Sequence, residues 1–238
     1  MATKVRLGEI DADVVLKEIK NVHLSVHPPT GRVRIAAPSR MSLDTIRVFA
    51  ISKVPWIRQQ QKKFREQERE TPREYIDRES HYVWGRRYLL KLVETAGSPS
   101  VELSHRRLVL KTRRGSNRAK KAALLDAWYR EQVKAAASPL IAKWERLMQV
   151  KVQRLFVQRM KTKWGSCNRT NATIRLNTDL AKKPRVCLEY IVVHEMTHLL
   201  ERTHNRRFIA LMHQFLPKWH ASRDVLNNLP VRNENWSY

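Results

Sequence analysis

The sequence predicts an α+β fold in which a long helix bearing the candidate site lies beside a small sheet, preceded by a β-rich subdomain. Three observations predict it. Short runs of alternating apolar residues, punctuated by turn residues, fill the chain to about position 115. Apolar residues at helical spacing then recur through 124–144 and again through 186–200. Between these regimes Arg114-Gly115-Ser116-Asn117 reads as a linker. Residues 1–115 are expected to form the β-rich N-terminal subdomain, with one broken helix, and residues 116–238 the helical domain that carries the site.

In chain order, Val22 to Ile35 alternates about Pro28-Pro29-Thr30-Gly31, a hairpin signal. Ser42 is placed to cap a helix, which Pro55 breaks or restarts before a charged run reaching Glu70. Tyr82 to Val93 and Val101 to Lys111 read as strands, separated by Gly97-Ser98-Pro99. A long helix follows, with Leu124, Leu125, Trp128, Val133, Leu140, Ile141 and Trp144 as its apolar residues and a kink or break expected at Ser138-Pro139. Val150 to Gln158 resembles a strand leading into Trp164-Gly165-Ser166-Cys167. Ala172 to Asn177 is another, after a turn at Asn168-Arg169-Thr170-Asn171. Pro184 suits the first turn of a buried helix whose apolar residues are Val186, Ile191, Val193, Met196, Leu199 and Leu200. Phe208, Leu211, Met212 and Phe215 form a last stripe, which stops at Pro217. No internal repeat is visible.

Composition sets the frame. A chain of 238 residues with 42% hydrophobic content can bury a core. Two cysteines, Cys167 and Cys187, argue against a disulfide scaffold and fit a reducing cytosol. Neither an apolar run after Met1-Ala2-Thr3-Lys4-Val5-Arg6 nor any span of membrane length is present, so a cytoplasmic protein without membrane contact is expected. The net charge of +25, with clusters at Arg58 to Arg73, Arg106 to Lys121 and Arg202 to Arg207, attracts polyanions through counterion release. One reading is non-specific nucleic-acid binding, with Trp128-Tyr129 beside Arg130 stacking on bases. The other is a solvated basic surface with those aromatics in the core.

The candidate site is His194-Glu195-Met196-Thr197-His198, followed by His204. Histidines four apart on a helix lie about 40° apart, so both imidazoles leave one face and can grip one metal ion. Glu195 projects from nearly the same side, close enough to act as a base on water without being a ligand. Two nitrogen ligands, a base and an open position are the constellation of a zinc hydrolase. A buried helix avoids turning such polar groups inward unless a metal pairs them. His204 lies about 240° beyond His198 on an ideal helix, so the chain must leave the helix near Arg202-Thr203 to bring it back. Glu201 stands where zincins with a third histidine often carry glycine for that turn. It falls on the ligand face, where it is expected to orient a histidine from behind.

Lys163-Trp164-Gly165-Ser166-Cys167, Ile174-Arg175-Leu176-Asn177, Tyr190-Ile191-Val192-Val193-His194-Glu195, His204, Phe208, Pro217 and Trp219 together resemble the YgjP-like family of zinc metallopeptidases, relatives of the SprT-like proteases. In the N-terminal half the resemblance rests on the basic hairpin, Lys53-Val54-Pro55-Trp56-Ile57 and Trp84-Gly85-Arg86-Arg87-Tyr88. Met196-Thr197 and Asn205 depart from the family's frequent Leu-Cys and serine, away from any proposed ligand. The resemblance implies a zincin-like metallopeptidase fold, His194, His198 and His204 as ligands of one zinc ion, Glu195 as catalytic base, and a protein or peptide substrate. It also implies work near nucleic acid, as SprT-like proteases act on DNA-bound proteins.

Three further expectations follow. Ile174, Arg175, Leu176 and Asn177 are expected to form the edge strand that pairs with an extended substrate. Lys163, Arg175 and Tyr190 are candidates to stabilise the developing oxyanion. Cys167 invites a thiolate ligand or nucleophile, but its Trp-Gly neighbourhood favours a small packed side chain. Two rival functions stand beside the peptidase. A metal-dependent nucleotide (UTP-type) pyrophosphatase, an activity attributed to some YgjP-like proteins, has abundant Arg and Lys in its favour. Against it stand the lack of a glycine-rich phosphate loop and of an acidic magnesium cluster, and a ligand set of histidines. A basic nucleic-acid-binding protein with a structural metal would need no base at Glu195.

Overall fold

Among the described residues, three small sheets and six helices follow one another along the chain. The structure, a computed structural model, describes residues 3–27, 30–66 and 70–230 and, of Lys63, the backbone alone. Its contacts group into two compact units, Met1–Thr71 with Pro230–Tyr238, and Pro72–Leu229. The sequence reading draws its boundary at about 115 instead. Physically, the strands just before that point share one hydrophobic core with the helices after it: Val83, Leu90, Leu108 and Leu110 pack in the cluster that holds Leu125, Val133 and Val193.

The first unit holds β1 (Thr3–Leu7), β2 (Ile10–Lys17), β3 (His23–His27), β4 (Arg32–Pro38), α1 (Leu43–Ser52) and α2 (Val54–Glu66). Strand order is β1-β2-β4-β3, antiparallel at both flanks and parallel between β2 and β4. Its core is closed by Ala12, Val14, Val33 and Ile35 from the sheet and Ile46, Ala50 and Ile57 from the helices. The expected hairpin is present as β3 and β4, although Pro28 and Pro29 of its turn lie outside the described residues. Ser42 caps α1 through Thr45 N, and the chain restarts as α2 one residue before Pro55, where a missing N–H costs nothing. Strands β1 and β2 carry no turn dipeptide strong enough to have been read from the sequence.

The second unit opens with β5 (Ser80–Val83), β6 (Arg86–Glu94), β7 (Ser100–Leu103) and β8 (Arg107–Thr112). Each strand expected here is in fact a hairpin. Trp84 and Gly85, both at positive φ, turn β5 into β6, and Ser104 to Arg106 turn β7 into β8. The order β5-β6-β8-β7, with a central parallel pair, repeats that of the first sheet. The repeat is one of topology without sequence likeness, which is why no internal repeat is visible in the residues.

Next comes α3 (Arg118–Met148), capped by Asn117 through Lys120 N. It runs unbroken past Pro139, because burial of Val133, Ala137, Ile141 and Trp144 on one face outweighs the lost hydrogen bond. Then follow β9 (Arg154–Gln158), β10 (Gly165–Asn168), β11 (Thr173–Asn177), a 3-10 turn (Thr178–Lys182), α4 (Arg185–Leu200), α5 (Arg206–Phe215) and α6 (Trp219–Asn228). The third sheet has the order β10-β11-β9. Helix α4 lies against β10 and β11 on one side and against α3, α5 and α6 elsewhere. Of the expected apolar residues of α4, Ile191, Val193 and Met196 are buried, Leu199 and Leu200 in the last turn are half-buried, and Val186 is exposed, being in the first turn. Among the described residues no helix is long and apolar enough to cross a membrane.

Candidate metal centre and active-site cleft

Helix α4 presents His194, Glu195 and His198 toward β10, as the spacing predicts. It then ends at Glu201, whose φ of −135° and ψ of 122° are ordinary extended backbone that needs no glycine. The Glu201 N–H still closes on Thr197 O at 2.9 Å, and the chain turns at once into α5. Asn205 caps α5 by accepting from Phe208 N at 3.0 Å. That cap fixes Phe208, buried, with its ring centroid 4.7 to 5.1 Å from those of His194, His198 and His204. One phenyl ring is thus the floor on which all three imidazoles rest.

The three histidines each offer a ligand atom within 4.8 Å of the others. His194 Nε2 and His204 Nε2 stand 3.1 Å apart. Two nitrogens bound at about 2.0–2.1 Å to one tetrahedral ion would be about 3.3 Å apart. His198 Nδ1 lies 3.1 Å from the Glu201 carbonyl oxygen; as donor there, it leaves Nε2 with a free lone pair. His194 Nδ1 is buried without a hydrogen-bond partner among the described residues. Burial, with His198 and His204 nearby, drives the His194 pKa down to about 3, and burial likewise lowers that of His198. Three imidazoles brought this close, with little protein hydrogen bonding to hold them, suit a shared cation.

Glu195 is buried beside them, and burial raises its carboxyl pKa to about 7 against the opposing pull of Lys163. It fits because position 165 is glycine. A β-carbon there would stand 2.6 Å from Glu195 Oε1 and 2.9 Å from Ile191 Cγ2. A glycine inside a strand pattern is the signal for such an approach, and the sequence reading did not use it.

The cleft is about 1020 Å³, walled by Lys163 to Thr170 on one side and by Ile191 to His204 on the other. Strand β10 forms that first wall and is an edge strand. The expected substrate strand, Ile174 to Asn177, is not: β11 is paired by β10 on one side and β9 on the other, leaving no free backbone edge. Ile174 and Leu176 are fully buried, Asn177 anchors the preceding loop by donating to Met160 O and Lys163 O at 2.8 Å, and Arg175 lies over the Phe156 ring. Of the three oxyanion candidates only Lys163 lines the cleft. Tyr190 stacks instead on Trp219. Glu201 orients His198 through its carbonyl oxygen, while its carboxylate accepts from Thr203 N at 3.3 Å. Cys167 lines the cleft outside the histidine group, and burial holds its thiol at about 11, far from a thiolate nucleophile. Tyr129 is a core residue, its hydroxyl donating to Tyr82 O at 2.9 Å, and is no base-stacking platform.

The family sequence described as YgjP-like, metallopeptidase domain, matches residues 20–229. The chain belongs to the YgjP-like metallopeptidase family. As a member it is a metal-dependent hydrolase of peptide bonds, acting on protein or peptide. No curated protein sequence matches it. Among solved structures it is similar to the metallopeptidase zymogen of Pyrococcus abyssi abylysin, at 16% identity and a TM-score of 0.33, over 37% of this chain and 85% of that one. It is also similar to the metallopeptidase zymogen of Methanocaldococcus jannaschii jannalysin, at 20% identity and a TM-score of 0.32, over 40% and 89%.

Proposed function

We propose that this YgjP-like chain is a zinc-dependent peptidase in which His194, His198 and His204 hold one zinc ion and Glu195 is the general base. The observation that carries the reading is the convergence of three imidazole nitrogens within 4.8 Å beside one buried carboxylate in a single cleft. Bound zinc supplies Lewis acidity, acidifying water and polarising the carbonyl to be attacked. Glu195 takes the proton from the attacking water and delivers it to the leaving amine. Lys163, on the same wall, supplies positive charge for the developing oxyanion. The substrate lies extended along the free edge of β10, whose backbone groups pair with it without reading sequence. Phe208 and the Glu201 carbonyl keep the imidazoles oriented.

Association with nucleic acid through the basic surface belongs to the same proposal, supported by the net charge of +25. A cytoplasmic location is proposed on its two cysteines. The test is elemental analysis of chelator-washed, zinc-reconstituted protein alongside His204→Ala and Glu195→Gln. The proposal expects close to one zinc per chain, sharply reduced in His204→Ala, and zinc retained with peptide hydrolysis lost in Glu195→Gln. Zinc unchanged in His204→Ala, or turnover surviving in Glu195→Gln, would overturn it.

A further inference from the structure

The cleft wall carries charge of one sign. Lys163 stands just before β10 and Arg169 just after it, so the two cations bracket the edge strand. Arg202 lines the opposite wall, in the turn between α4 and α5. All three are exposed; Lys163 acts on the buried Glu195, while neither Arg169 nor Arg202 forms an ion pair with a carboxylate among the described residues. Among the described residues, Glu195 is the sole carboxylate lining the cleft, and it is buried at its base. The nearest other acid in sequence, Glu201, turns its carboxylate to Thr203. Arg169 lines the same cleft as the three histidines and Cys167, and its charge is felt by His198 and Cys167.

An extended segment paired along the four residues of β10 spans about 13 Å, from the Lys163 end to the Arg169 end. Its side chains on either side of the scissile bond therefore meet exposed cations. We infer that the cleft selects carboxylate-bearing peptides, with Arg169 and Arg202 as the residues that read the carboxylate. The inference rests on the peptidase reading above. The carboxylate has two sources, an Asp or Glu side chain or the free C-terminus of the peptide. A nucleic-acid strand is the less suited occupant, because the free edge of β10 offers backbone hydrogen bonds in the register of a peptide.

Exposed charge pairs are individually weak, so two or three together favour an acidic over a neutral peptide by about 10-fold at low salt. The experiment measures binding first, by anisotropy of labelled peptides on zinc-loaded Glu195→Gln protein, and then cleavage on the wild type. The peptides share one sequence with Glu, Gln or Lys flanking the central bond, each with blocked and with free C-termini. The expected order is Glu over Gln over Lys, a difference that shrinks with salt. The double variant Arg169→Gln/Arg202→Gln collapses the Glu-to-Gln ratio toward one. Arg169→Glu/Arg202→Glu inverts the order in favour of Lys. Since the ratio is taken on one protein preparation, a folding defect does not mimic the result. A preference confined to free C-termini assigns the carboxylate to the peptide end; one that survives blocking assigns it to side chains. Equal binding of the three peptides overturns the inference, as does an acidic preference that persists in the double variant. Tighter Arg169- and Arg202-dependent binding of a single-stranded oligonucleotide overturns it in favour of nucleic acid. Selective binding without cleavage by the wild type would instead refute the peptidase reading and leave the carboxylate site standing.

Discussion

The two four-stranded sheets have the same strand order and the same mixture of parallel and antiparallel pairs, yet their turns meet different surroundings. Their first hairpins show the difference. Gly8, at a φ of +69°, turns β1 into β2 with nothing within 4 Å of where a β-carbon would be. Gly85, at +80°, turns β5 into β6 where a β-carbon would stand 2.9 Å from Pro184 Cγ, the residue that opens α4. Trp84 N and Gly85 N donate to Ala181 O and Lys182 O, and Arg185 covers the Trp84 ring at 4.5 Å. The same turn therefore leaves open space at Gly8 in the first unit and seats the start of α4 in the second. Topology builds a sheet; what a turn touches decides whether that sheet takes part in function.

Several substitutions would break or sharpen this contrast. The largest effect is expected at the end of the chain of contacts from that seat: Glu195→Gln should lower kcat by about 10³-fold with the metal retained, and with hydrogen-exchange protection of the first unit unchanged. Gly165→Ala should cost about 10²-fold in kcat/KM, because its β-carbon displaces the Glu195 carboxylate. The paired hairpins come next. Gly85→Ala combines a strained φ with a clash on Pro184 and should destabilise the second unit by about 3 kcal/mol, whereas Gly8→Ala should cost the first unit about 1 kcal/mol. Unit-resolved hydrogen exchange measures both, and equal losses would remove the contrast. The smallest effect concerns His81, buried on β5, whose pKa burial lowers from 6.5 despite its contact with Glu79. Its folded form stays neutral while the unfolded chain gains a proton, so its contribution is full above pH 6.5 and declines as pH falls below it. His81→Gln should flatten that slope in the second unit alone.

How much of this was legible in the residues follows from distance along the chain. His194, Glu195, His198 and His204 are local, and helical geometry alone places the first three on one face. The turn that returns His204 was legible only as a requirement; that Glu201 meets it in extended backbone depends on α5 starting at once, under the Asn205 cap. The substrate strand was misassigned because alternation identifies a strand but not its neighbours, and β11 is flanked by strands on both sides. The boundary at 115 failed for a related reason. Gly115 and Ser116 make a tight connection between β8 and α3, and turn residues look alike within a unit and between units. Pro139 signals a kink or break, but the buried face of α3 prevails over local preference.

The compactness of the histidine group in sequence has a kinetic and thermodynamic corollary. His194 and His204 are only ten residues apart, whereas the wall that Glu195 leans on lies thirty residues upstream. Closing so short a loop costs little entropy, so an unfolded or nascent chain keeps all three histidines within reach of one another. Metal ions would therefore bind the denatured ensemble as well, and their gain in Tm falls short of RT ln(1 + [metal]/Kd) reckoned from native affinity. Chelation would silence this enzyme well before it unfolds it.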